Sequence, residues 1–90
     1  MSTTIIVSSV FGMYTNNRTN IEVKGSNVGE CLEDFFRQYP DMRKVITNNN
    51  GNLRHNFDLY INGQSSYPLE MKRPVNEGDK LNLVMLIMGG

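Results

Sequence analysis

The chain closes on a segment that leaves few folds open to it. Glu77-Gly78-Asp79 is followed by Lys80-Leu81-Asn82-Leu83-Val84-Met85-Leu86-Ile87-Met88 and then by Gly89-Gly90. Glycine takes positive φ without steric cost and the flanking carboxylates solvate a bend, so 77–79 reads as a turn. Leu81, Leu83, Met85 and Ile87 then alternate with Asn82, Val84, Leu86 and Met88, which is the period of a strand. From Leu83 to Met88 the alternation gives way to an unbroken apolar run. Such a run suits a central strand, covered on one face and touched on the other. Gly89 and Gly90 have no side chain to pack and are expected to trail into solvent as a flexible tail. Two terminal glycines thread a narrow tunnel, and nothing beside the carboxylate hinders its attack on a partner's substrate. The functional group of this chain is therefore expected to be the carboxylate of Gly90.

Ninety residues are expected to make a single domain, 1–90, with one modest core. Nine basic and nine acidic side chains cancel and are interspersed, which argues against nucleic-acid binding, a task that calls for a net basic face. No run of about 20 apolar residues is present to span a membrane. Met1-Ser2-Thr3-Thr4-Ile5 lacks the charged start and long apolar stretch of a signal peptide. A lone cysteine, Cys31, forms no internal disulfide. A cytoplasmic location is expected on these grounds.

Thr4 to Phe11 is rich in β-branched residues and reads as a first strand, with Ile5 and Val7 on one face. Gly12 to Asn20 is a polar reversal, and Ile21-Glu22-Val23-Lys24 pairs back on the first strand as a hairpin. Val28, Cys31, Leu32, Phe35, Phe36 and Tyr39 recur at helical spacing and form one apolar stripe. Ser26 or Asn27 caps this helix; with Asn27 in that role, Glu30 completes a capping box. Pro40 ends the helix, the only convincing one. Asp41 to Asn56 reads as an irregular β-excursion, with 44–47 and 53–55 flanking a tight turn at Asn50-Gly51. Phe57, Leu59 and Ile61 alternate with Asp58 and Tyr60 in a strand that stops at Asn62-Gly63, and Gln64 to Met71 returns as a short edge strand.

The order is β-β-α-β-β-β, an α+β chain with one main helix and one apolar stripe to cover. A mixed sheet packed on that helix satisfies it, with the first and last strands, the most apolar, side by side at the centre. That arrangement is the ubiquitin-like β-grasp.

Three motifs in this order carry a resemblance to a known family. Leu59-Tyr60-Ile61-Asn62-Gly63-Gln64, then Glu77-Gly78-Asp79-Lys80-Leu81, then a strand ending in Gly89-Gly90, are similar to the MoaD/ThiS sulfur carriers. The likeness runs through most of the chain, and its length and the Gly51 to Gln64 segment look more like the molybdopterin-synthase small subunit and cysteine-biosynthesis carriers than the shorter thiamine carrier. Relatives of the molybdopterin type often carry prolines shortly before the glycines, where this chain has Met85-Leu86-Ile87-Met88. The resemblance implies that a ubiquitin-activating-type partner adenylates the C-terminal carboxylate with ATP. Sulfur then replaces AMP, and the thiocarboxylate at Gly90 serves a sulfur-accepting synthase subunit or enzyme, with Gly89 giving clearance. The carrier itself would be no enzyme and would bind no cofactor, ATP being used by the partner. The same activation also serves a modifier joined through Gly90 to lysines, and a non-covalent interaction module is the third reading.

Other candidates are weaker. Cys31 lies on the helical stripe and is expected to be buried. His55, the only histidine, has no second ligand at metal spacing. Val84, Leu86 and Met88 fall on the face of the last strand turned from the helix, and with Tyr60 they are expected to form a partner surface. Lys72-Arg73, Arg43, Lys44 and Arg54 read as solvated loop charges.

Overall fold

The computed structural model describes residues 2–86, and Ile87 to Gly90 lie outside it. A five-stranded mixed sheet has the order β2-β1-β5-β3-β4, with β1 Thr3–Ile6, β2 Asn20–Val23, β3 Phe57–Ile61, β4 Gln64–Ser65 and β5 Lys80–Met85. The two most apolar strands are neighbours at the centre, as expected: β1 and β5 run parallel, with Ile5 beside Leu81. On the outer sides β2 and β3 pair antiparallel with them. The register places Ile21, Ile5, Leu81 and Ile61 in one row across four strands. All four are buried. Helix α2, Val28–Gln38, covers that face with Val28, Cys31, Leu32, Phe35 and Phe36.

The N-terminus of α2 forms as its sequence implies. The Asn27 side-chain oxygen accepts from the Glu30 N–H at 2.8 Å, and the Glu30 carboxylate accepts in return from the Ser26 N–H and hydroxyl. The reciprocal contact thus reaches one residue further back than a simple capping box.

Three expectations are corrected. The first strand stops at Ile6 and does not run to Phe11. Ser8 caps a 3-10 turn, Ser9–Phe11, which leads into the short helix α1, Gly12–Thr15, closed by Asn16 at φ 55°. Burial decides this: the turn carries Phe11 against the Phe57 ring, centroids 6.0 Å apart, and buries Thr15 with its hydroxyl 2.8 Å from the Arg18 carbonyl. Second, 42–46 is the helix α3, Met42–Ile46, and not a strand. The spacing of Met42 and Ile46 puts both side chains on one helical face, where both are fully buried, whereas a strand would turn the exposed Lys44 to that same face between them. Of the expected β-excursion only the bridge Thr47 to Leu53 remains, around the Asn48 side chain, which accepts from the Asn50 and Asn52 N–H groups. Third, the returning edge strand is two residues long, and a 3-10 turn at Glu70–Lys72 takes the place of the rest.

Candidate functional site

The two glycine turns named in the sequence lock together at one end of the sheet. Asn62 and Gly63 join β3 to β4 with φ of 51° and 87°, a two-residue hairpin that only residues tolerant of positive φ can make. The Asn62 amide donates to the Asp79 carboxylate at 2.9 Å, and its oxygen accepts from the Lys80 N–H at 3.0 Å. Asp79 also accepts from the Asn76 N–H at 2.7 Å. The residues that carry the family resemblance here are joinery; they fasten the start of β5 to the end of β3, away from the end where the chain leaves.

This joint has a consequence for acid stability. The Asn76 N–H first, and the Asn62 amide second, hold the Asp79 carboxyl below its usual 3.8. A carboxylate depressed in the folded state contributes stability above its unfolded value and loses it as pH falls through the folded one. Glu33, held down chiefly by Arg43, acts in the same direction. Urea titrations from neutral pH to below about pH 4 are expected to show a shallower loss of stability for Asp79→Asn than for the parent chain. Equal slopes would remove Asp79 from that role.

At the opposite end, β5 delivers the chain to its exit. Leu81 and Leu83 are buried, and Val84 is half-buried on the other face beside Tyr60, which sits opposite Asn82. The Leu86 N–H donates to the Asn56 carbonyl at 2.7 Å, so the segment stays fastened to the approach of β3 through Leu86. Of the expected partner surface, Tyr60 and Val84 share the open face of the sheet with Ile6, and Leu86 follows them exposed at the exit. Met88, Gly89 and Gly90 lie outside the described residues. Met85 was expected to face the helix; it is 45% exposed, because its neighbour Phe57 marks the edge of the core. A fully extended four-residue chain beyond Leu86 reaches at most about 14 Å.

A concavity of about 560 Å³ opens beside the exit, with Leu53 and Phe57 below, and Arg54, His55, Tyr67 and Leu86 around it. Sequence reading missed Tyr67 and Leu69, which stand exposed on the segment after β4, because it took them for alternating strand residues. Cys31 is fully buried, and burial first, then the nearby carboxylates, push its thiol up to about 11. It stays protonated near neutrality and offers no nucleophile. Among the described residues no group of histidine, cysteine and carboxylate side chains could hold a metal ion. No helix among them is long and apolar enough to cross a membrane.

No family model matches the chain. The ubiquitin-related modifier 1 of Encephalitozoon cuniculi is 36% identical over 83% of this chain and 86% of that protein. Among solved structures, the complex of BexX and CysO from Amycolatopsis orientalis contains a similar fold, with a TM-score of 0.88 at 19% identity, covering 98% of this chain and 99% of that one. The small archaeal modifier protein 1 of Methanosarcina acetivorans matches with a TM-score of 0.80 at 14% identity, over 99% of this chain and 96% of that one. At such identities the structural likeness speaks for the β-grasp fold, and the kinship rests on the first relative.

Proposed function

Because this chain belongs to the ubiquitin-like sulfur-carrier and modifier family, we propose that it carries sulfur on Gly90. The observation that bears most weight is the sequence itself: a central strand running into Gly89-Gly90, the two residues with no side chain to obstruct a partner's active site. The carboxylate oxygen attacks the α-phosphorus of ATP held by an adenylating partner, and pyrophosphate leaves. A hydrosulfide-equivalent nucleophile then attacks the acyl carbon, AMP departs with its electron pair, and a thiocarboxylate remains. Adenylation is needed because a carboxylate is a poor acyl donor until it has a good leaving group. The carrier supplies reach and the acyl group; the partner supplies ATP binding. The likeness of the 51–64 segment to the molybdopterin-synthase small subunit supports a molybdopterin-type precursor as the sulfur acceptor, and its equal likeness to cysteine-biosynthesis carriers supports an amino-acid precursor as the alternative.

A second reading is favoured by the name of the 36% identical relative, a ubiquitin-related modifier. In it the activated Gly90 acyl group passes to lysine amines of other proteins. Intact-mass measurement of the protein from its native host separates the two. A species in which sulfur replaces one oxygen, and which disappears when Gly90 is removed, is the expected result. An unmodified mass together with Gly90-linked high-mass conjugates would transfer the assignment to the modifier. An unmodified mass with no conjugates, after incubation with ATP, activator and sulfide, would sink both.

A further inference from the structure

Charge is absent from two segments that reach the same end of the sheet, the end where the chain leaves β5. No charged side chain occurs between Ser2 and Asn17, and none after Lys80. Since β1 and β5 are parallel neighbours, the connection from Val7 to Thr19 begins at the same end of the sheet at which β5 finishes. β3 stands between the two as a link. Phe11 packs on Phe57, and Phe57 sits opposite Met85 in the β3–β5 register.

This connection is held by caps and buried anchors, and its middle, between the polar residues at either end, exposes apolar side chains. Ser8 caps its first turn, Asn16 closes α1, and Phe11 and Thr15 anchor it inward. Val10, 66% exposed, and Met13, 83% exposed, point the other way, with Tyr14 beside them. Isolated exposed apolar residues are ordinary, but here three stand on one fixed connection at the end of the sheet where β5 finishes, and Met85 and Leu86 are exposed at that end too. Methionine and tyrosine are the side chains that adapt to, or anchor in, a partner's apolar surface.

We propose that Val10, Met13 and Tyr14 form a docking platform for the adenylating partner, which meets them with an uncharged, apolar surface. The proposal rests on the carrier reading: a partner that takes Gly90 into its active site must close over the point where the chain leaves β5, and this platform stands at the same end of the sheet. The partner's contact is apolar because an acidic or basic surface would find no opposite charge on the platform and would lose its own hydration there. Sequence reading placed Val10 in a strand and left Met13 and Tyr14 in a polar reversal, so the platform is visible only in the fold.

The test is steady-state adenylation with the ubiquitin-activating-type enzyme of the same organism, followed as ATP–pyrophosphate exchange. Val10→Glu and Met13→Glu are expected to raise the KM for the carrier about tenfold or more with kcat unchanged. Met13→Leu and the distant Lys72→Glu should behave as the parent. Both altered positions are exposed, so unchanged thermal melting is expected and separates lost docking from lost folding. Unchanged KM in both glutamate variants, with the parent active and a chain lacking Gly90 inactive, overturns the platform and leaves the carrier reading standing. Normal activation with impaired delivery of sulfur to an acceptor overturns the assignment to the adenylating partner. A parent chain that is never activated overturns the carrier reading, and the platform with it.

Discussion

Truncating Leu81 to alanine is expected to remove about 2–5 kcal/mol of stability, a large part of the roughly 5–13 kcal/mol available to a chain of this length. Leu81 is fully buried near the start of β5, with Ile5 on one side and Ile61 on the other in the strand register. The backbone around it is fixed by ladders on both edges, so the cavity has little freedom to collapse. A central loss of about 3 kcal/mol corresponds to a fall in Tm of roughly 12–24 °C for a domain of this size. Leu86→Ala, at an exposed position beyond the strand, is expected to cost no more than about 0.5 kcal/mol. Urea unfolding of the two variants checks the contrast. Similar costs for both would mean that β5 is not the buried centre of the sheet.

Replacing Gly90 by phenylalanine is expected to abolish adenylation while leaving the melting temperature unchanged. The side chain would stand beside the reacting carboxylate and obstruct both the tunnel and the approach to the α-phosphorus, and loss of the attack geometry alone costs orders of magnitude in rate. The described fold holds the end of β5 through the bond from Leu86 to Asn56, four residues before the substitution, so an unchanged melt is expected. Pyrophosphate exchange and a thermal melt on the same sample decide it. Activation at the parent's rate would place the reactive group elsewhere in the chain. Together the two variants separate what holds the domain from what it is proposed to do: Leu81 should alter stability alone, and Gly90 activity alone.

Much of the architecture was legible in advance because it depends on period. The alternation in 57–61 and 81–83 and the helical spacing of Val28, Leu32, Phe35 and Phe36 report burial on one face directly, and each appears where expected. Turn chemistry was equally readable: Asn62-Gly63 and Gly78-Asp79 require positive φ or local carboxylate acceptors. What those turns do for each other was not readable, since the bond from Asn62 to Asp79 joins positions 17 residues apart. The helix at 42–46 escaped for a related reason. Lys44-Val45-Ile46-Thr47 is short and β-branched, so local propensity favoured a strand, and only the buried sites awaiting Met42 and Ile46 reversed it.

The amino-acid sequence by itself determined the central apolar strand, its helical cover and the Gly89-Gly90 ending, because these follow from side-chain periodicity and from glycine's missing Cβ. Tertiary structure alone decided which apolar residues remain outside. Val10 and Phe11 are adjacent and chemically alike, yet one is exposed and the other buried against Phe57. The choice follows from the parallel pairing of β1 with β5, which sets where the connection from Val7 begins and therefore which of its side chains reaches the core.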